Sequence, residues 1–562
     1  MAPFLQLLAC ALCAVSSVNA FDIRLGERRS IQQARRESEQ RKAAALATRD
    51  DTKPKELYPA HNFSVPIDHF HNETKYEPHS NGTFPLRYWF DATYYKPGGP
   101  VIILQGGETA GSDRLPYLQK GIVYQLSKAT NGLGVILEHR YYGTSFPTPD
   151  LSTKNLRFLT TQQALADEAY FAQNIKFPGL ERFGDLTSRT TPWISYGGSY
   201  AGAFSAFLRV QYPDVFWGAI SSSGVTKAIY DYWAYFRTIA EKGPPDCIKT
   251  QQTLIHVMDN IWIKKNQSAL SQQLKTTFGF GNLTRDQDLA FLIENNGIGD
   301  WQSLNWDPAV TSNEVYRYCD NITSDTVLYP ATESKRANVT HLISEGGYKA
   351  NKTLETRMLN MIGYYNLTQL SGCDDTLDSC FGQNNQTYYD LDSIAEGDWR
   401  SWPYQYCTEW GYLQTGNTPA NMLPLISRTL DLEYQSEVCR AAFNITEPPD
   451  VEIVNKYGAY DISYPRVAFV DGDWDPWKDA TPHAFEFGAK HRNNTASEPF
   501  ILIDRAVHHW DENGLLKPTA NLPPLAVRDA QSLEQFAVEE WLQEWKVYCL
   551  QNGGCGNFKV QG

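Results

Sequence analysis

A mostly parallel α/β sheet, clothed by helices on both faces and interrupted by a large helical insertion, is the fold class predicted by this 562-residue sequence. Two observations carry the prediction. Short apolar runs (Val101–Leu104, Gly132–Leu137, Trp193–Ile194, Gly218–Val225, Arg466–Asp473 and Pro499–Ala506) alternate with stretches of helical spacing. Strands buried on both faces read this way, as continuous rather than alternating apolar segments. From Val225 to Arg466 no such run occurs, and that gap is too long for a loop.

Taken in order, residues 1–20 hold an apolar run ending in Val18-Asn19-Ala20, the small-x-small signature of a secretory signal peptide. The run is short for a bilayer span and no later segment exceeds it, so stable membrane insertion is not expected. Residues 21–56 carry ten Lys/Arg against seven Asp/Glu and few aromatics, which reads as a charged leader open to processing, or as a solvated helix through Ser38–Ala47. The sheet-forming core then occupies 57–227 and resumes at 456–562. Helices are expected over Tyr117–Thr130 and Thr160–Asn174, and within the insertion, 228–455, over Leu254–Ile263 and Thr353–Ile362.

The leader is +3 in a chain of formal charge −14, leaving −17 for the rest and disfavouring a nucleic-acid partner. Past the signal peptide stand Cys247, Cys319, Cys373, Cys380, Cys407, Cys439, Cys549 and Cys555, an even set that predicts disulfides in an oxidising compartment. Among them no Cys-x-x-Cys pair occurs, and no His-x-x-x-His spacing accompanies them, so neither a metal nor another cofactor is expected. N-x-S/T sequons at Asn62, Asn72, Asn81, Asn266, Asn282, Asn321, Asn338, Asn351, Asn366, Asn385, Asn444 and Asn493 point the same way, towards a secreted or acidic lumenal glycoprotein. Most fall in the insertion, as an exposed lobe requires.

The chemistry centres on Gly197-Gly198-Ser199-Tyr200-Ala201, between an apolar strand and a small-residue helix start. This is a near match to the G-x-S-x-G elbow, which lifts a serine out of a strand-to-helix turn. A serine that only caps the helix is the plainer reading. Serine needs a base, and the base a carboxylate, in the order serine, acid, histidine for an α/β-hydrolase fold. The loop after "FILID" supplies His508 and His509, and the turn after "VAFVD" supplies Asp471, Asp473 and Asp475. Pattern alone ranks neither set.

These residues, together with "PIDHF" (Pro66–Phe70), "YYKPGGPVIILQGGE" (Tyr94–Glu108), "EHRYYGTS" (Glu138–Ser145), "LTTQQALAD" (Leu159–Asp167), "YQYCTEW" (Tyr404–Trp410), "DPW" (Asp475–Trp477) and "HHWD" (His508–Asp511), resemble the secreted and lysosomal serine peptidases that include Pro-Xaa carboxypeptidase, lysosomal dipeptidyl peptidase and the acid prolyl endopeptidases. The resemblance implies an α/β-hydrolase fold with a helical cap. It implies Ser199 as nucleophile, Asp475 as the acid and His508 as the base, with an oxyanion held by the N–H of Tyr200 and one from the Gly106-Gly107 loop, assigned to Gly107. It also implies cleavage of peptides or proteins after proline, for which Trp477, Trp402 and Trp410 are candidate pocket walls, each also suited to core packing. A carboxypeptidase-like exopeptidase is expected, with endo- or dipeptidyl cleavage as alternatives. A lipase or esterase sharing the triad, or a catalytically dead binding module, are the further rivals.

Overall fold

The computed structural model describes residues 53–265, 267–552 and 555, so the signal peptide, most of the leader and Asn266 lie outside the described residues. Eight strands form one sheet: β1 (His61–Pro66), β2 (Thr83–Asp91), β3 (Val101–Gln105), β4 (Leu133–Leu137), β5 (Trp193–Gly198), β6 (Gly218–Ser222), β9 (Val467–Gly472) and β10 (Phe500–Ile503). Their spatial order is β1-β2-β4-β3-β5-β6-β9-β10. From β4 to β10 every neighbouring pair is parallel, while β1–β2 and β2–β4 are antiparallel. Two short strands, β7 (Ile229–Asp231) and β8 (Gly411–Leu413), pair separately.

The parallel strands are apolar throughout because both faces are covered. On β3, Val101 and Ile103 join one core and Ile102 and Leu104 the other, the period-2 alternation of a strand. The second core is closed by helix α1 (Ile122–Thr130) and the long C-terminal helix α7 (Leu525–Gln551), whose Trp541 is fully buried. The first lies under helices α2 (Thr161–Asn174) and α3 (Tyr200–Gln211). Thr160 caps α2 by accepting the Gln163 N–H. The helix expected over Tyr117–Thr130 is broken at Lys120-Gly121, where a Cβ on Gly121 would meet the Glu512 carbonyl at 2.6 Å.

Between β7 and β9 the chain is predominantly helical, including α4 (Pro245–Asp259), α5 (Glu314–Thr323) and α6 (Lys352–Thr368). Disulfides join Cys247 to Cys319, Cys373 to Cys380, Cys407 to Cys439, and Cys549 to Cys555. Among the described residues no helix is long and apolar enough to cross a membrane. The sheet is that of an α/β-hydrolase, and the helical segment is its cap insertion.

Candidate active site

The carboxyl ends of β3, β5, β9 and β10 face the same edge of the sheet, where ligands gather in open α/β folds. Ser199 follows β5 directly, with φ 62° and ψ −125°, a strained conformation for a non-glycine residue. A Cβ on Gly197 would sit 2.0 Å from the Ala201 carbonyl oxygen, so the turn demands glycine there. The Ser199 N–H donates to the Ser222 carbonyl of β6 (2.9 Å), and its own carbonyl accepts the first α3 bonds from Gly202 and Ala203. Its side chain makes no capping bond to α3, which sets aside the plainer reading of the serine. It is half-buried.

Asp475 and His508 come from the loops after β9 and β10. Asp475 Oδ2 and His508 Nδ1 are 2.8 Å apart, and Asp475 Oδ1 accepts the Trp477 N–H at 2.9 Å. Both side chains are buried. Burial works against the Asp475 carboxylate, but the adjoining His508, the Trp477 N–H and Ser223 outweigh it and hold its pKa below the usual aspartate value. The other two candidate acids are engaged elsewhere: Asp471 with His483 (2.5 Å) and Asp473 with Lys242 (2.8 Å).

His509 makes its polar contacts elsewhere, although its ring centroid lies 4.4 Å from that of His508. Its Nδ1 lies 2.8 Å from Glu512 Oε2, and its N–H donates to Ser223 Oγ. The next residue but one anchors the loop: Asp511 accepts the hydroxyls of Tyr196 and Ser222, each at 2.6 Å. Gln531 of α7 donates to the Asp511 and Asn513 carbonyls, so the C-terminal helix fixes the histidine loop on the sheet.

The two positions expected to bind an oxyanion differ. Tyr200 opens α3, where the first N–H groups lack intrahelical acceptors. Gly107, at φ 70°, stands opposite Ala201, but its N–H is taken by the Gln105 Oε1 at 2.5 Å, and the Gly106 N–H by the Leu137 carbonyl at 2.7 Å. For Gly107 to meet an oxyanion, the Gln105 amide must turn away.

A polar chain missed from sequence fixes Tyr200. The Arg140 carbonyl can only accept, so His139 donates to it through Nδ1 (2.7 Å) and accepts the Tyr200 hydroxyl at Nε2 (2.9 Å). Burial lowers the His139 pKa to about 4, keeping the ring neutral for that role. Gln405 of the cap segment donates to the same hydroxyl at 3.0 Å and accepts from Tyr142. The motifs "EHRYYG" and "YQYC" contain these residues; no local spacing assigns them to Tyr200.

Of the three tryptophans, Trp477 stacks on Tyr232 (5.2 Å, 16°), and its centroid is 6.5 Å from that of His508. Trp402 and Trp410 meet the Tyr200 ring edgewise at 5.4 and 4.9 Å. Trp410 is wholly buried and bonded to Thr161, so it supports Tyr200 from behind and lines no open surface. Of the sequons, Asn62, Asn72, Asn81, Asn282, Asn338, Asn351, Asn444 and Asn493 are exposed, and Asn321, Asn366 and Asn385 half-buried.

Residues 65–519 match the family model described as Serine carboxypeptidase S28. A protein of Arthroderma benhamiae named "Probable extracellular serine carboxypeptidase" is 51% identical over 545 residues, covering 96% of this chain and 74% of that one. Serine protease vicPa of Bipolaris victoriae is 28% identical (76% of this chain, 81% of the other), and the mouse thymus-specific serine protease 26% (82% and 84%). Among solved structures, proline iminopeptidase of Mycobacterium smegmatis aligns over 85% of this chain and 100% of its own, at 11% identity and a TM-score of 0.33. With four-fifths of its length under one family model and half its residues shared with a relative across nearly the whole chain, this protein belongs to the serine carboxypeptidase S28 family.

Proposed function

We propose that this chain is an extracellular serine carboxypeptidase that hydrolyses peptide bonds after proline, with Ser199 as nucleophile, His508 as base and Asp475 as its orienting acid. The observation that carries the reading is the buried Asp475–His508 pair, 2.8 Å apart, on the same sheet edge as the strained Ser199 turn. With Nδ1–H bound to the carboxylate, Nε2 of His508 is the imidazole's basic atom. It takes the Ser199 proton as Oγ attacks the scissile carbonyl, and returns that proton to the leaving amine. Water, deprotonated by the same nitrogen, then releases the acyl group and restores Ser199. The Tyr200 N–H, at the positive end of α3, and the Gly107 N–H, once Gln105 yields it, stabilise the oxyanion.

Secretion is supported by the four disulfides and the name of the Arthroderma relative. Trp477, backed by Tyr232 and with its ring centroid 6.5 Å from that of His508, suits a rigid pyrrolidine ring. A fluorophosphonate probe is expected to label the wild type and leave Ser199→Ala unlabelled; an unlabelled wild type favours a binding module instead. Peptides with proline at each position, free or blocked at either end, test the specificity. Release of only the residue after a penultimate proline, abolished by blocking the C-terminus, is expected. Cleavage of end-blocked peptides overturns exopeptidase action.

A further inference from the structure

The loop between β1 and β2 holds a cluster that the peptidase chemistry does not use. Asp68, His71 and His79 each bring one donor atom to a common point, all within 4.8 Å of one another. Asp68 Oδ2 and His79 Nδ1 are already 2.7 Å apart, and the rings of His71 and His79 lie face to face with centroids 5.3 Å apart. In a tetrahedral zinc site with bonds near 2 Å, donor atoms stand about 3.3 Å from each other, so an entering ion displaces the proton shared by Asp68 and His79, and the wider separations, up to 4.8 Å, close by about 1.5 Å.

The buried member is held by a surrounding shell. Asp68 is 2% exposed, and its other oxygen, Oδ1, accepts the Phe70 N–H (2.9 Å) and the Gln163 amide of α2 (2.8 Å). Gln163 is fixed in turn, its Oε1 accepting the His69 N–H at 2.9 Å. His69 points elsewhere, to Asp167 at 2.7 Å. Oδ2 is thereby aimed at the histidines, the arrangement by which outer partners orient a metal-ligating carboxylate. His71 is exposed and His79 half-buried, which leaves the point open to an entering ion and to a water as fourth ligand.

We propose that Asp68, His71 and His79 form a binding site for one divalent transition-metal ion, zinc being the best match to two imidazoles and a carboxylate. The ion closes the β1–β2 loop on itself and, through Gln163, ties it to α2. It stabilises the sheet's antiparallel edge and takes no part in peptide hydrolysis. Cys-x-x-Cys and His-x-x-x-His spacings cannot reveal this site, since its ligands come from both ends of a loop.

The test uses the full secreted chain, stripped with a chelator, incubated with zinc chloride and desalted. One zinc per chain by elemental mass spectrometry and a raised thermal midpoint are expected for the wild type. His71→Ala, which removes no buried packing, and His79→Ala are expected to lose both, while Gln163→Leu weakens zinc binding by about 10–100-fold. Less than stoichiometric zinc on the wild type overturns the proposal. So does equal zinc on wild type and His71→Ala, the result expected if zinc sat on the histidines near Ser199.

Discussion

His508 and Asp475 meet Nδ1 to Oδ2 at 2.8 Å with neither side chain reaching solvent. An asparagine at 475 can place its NH2 where the carboxylate accepted a proton, forcing the imidazole into the other tautomer with Nε2 protonated. Asp475→Asn is therefore expected to lower kcat by about 10⁴ with little change in KM, since the substrate does not touch this atom. Steady-state kinetics on a proline peptide measure it. A variant that retains wild-type kcat removes Asp475 from the reaction.

The Gly107 N–H is occupied by a neutral carbonyl, that of Gln105. Gln105→Glu substitutes a carboxylate of the same length, which grips that N–H more firmly and repels an oxyanion forming beside it. A fall in kcat of about 10²–10³ is expected, the cost of one oxyanion donor, together with weakened inhibition by peptidyl boronates. Unchanged kcat in this variant means that the Gly107 N–H takes no part.

The parallel strands were legible because burial on both faces leaves a continuous apolar signature, as in β3 and β4. The antiparallel edge was not: β1 buries only Val65 fully, β2 begins with alternating exposed and buried residues, and prolines stand at the end of β1 (Pro66) and within β2 (Pro85). At the candidate site, the tight turn at Ser199 could be read from local backbone demands, whereas the carboxylate that pairs with His508 could not. Asp471, Asp473 and Asp475 share one short turn, and only side-chain direction separates the partner of His508 from those of His483 and Lys242. The Tyr200 support likewise joins residues distant in sequence, His139 and Gln405, through single polar contacts that leave no periodic trace.

Glu168 of α2 is buried beneath β5, with Ser195 Oγ 3.4 Å away. Burial, aided by Asp167, pushes its pKa from 4.5 up to about 8. The fold thus keeps a proton that the unfolded chain releases, and the stability this confers is lost as pH rises through about 8. His139, lowered from 6.5 to about 4, acts oppositely, but only below 6.5. Between pH 6.5 and 8 the effect of Glu168 is unopposed by His139, contributing a decline of up to ~1.4 kcal/mol per pH unit. Thermal denaturation of Glu168→Gln is expected to show a flatter decline there; the same slope as wild type sinks the assignment.

Cys247–Cys319 links α4 to α5 across 72 residues, whereas Cys549–Cys555 spans 6. On chain-entropy grounds the first restrains the unfolded chain by about 4 kcal/mol and the second by about 2. The double replacement Cys247→Ser/Cys319→Ser is expected to lower the thermal midpoint more than Cys549→Ser/Cys555→Ser. The reverse order points to strain or residual structure outweighing loop length.

Asn366 separates sequence potential from structural permission. It satisfies the N-x-T rule, yet its Nδ2 donates to the Phe278 carbonyl at 2.7 Å and the Ile362 carbonyl at 2.6 Å, using both amide hydrogens. A glycan on that nitrogen removes one donor and forces a bulky polar group between α6 and the segment ending at Phe278. Because attachment precedes completed folding, an occupied Asn366 leaves a chain that cannot make both bonds. Secreted enzyme is therefore expected to carry glycans at exposed Asn72, Asn81 and Asn444 and none at Asn366. Mass spectrometry of tryptic peptides, with deglycosylation in heavy-oxygen water, reads each site. Stoichiometric label at Asn366 shows that the α6 contact yields to the sugar.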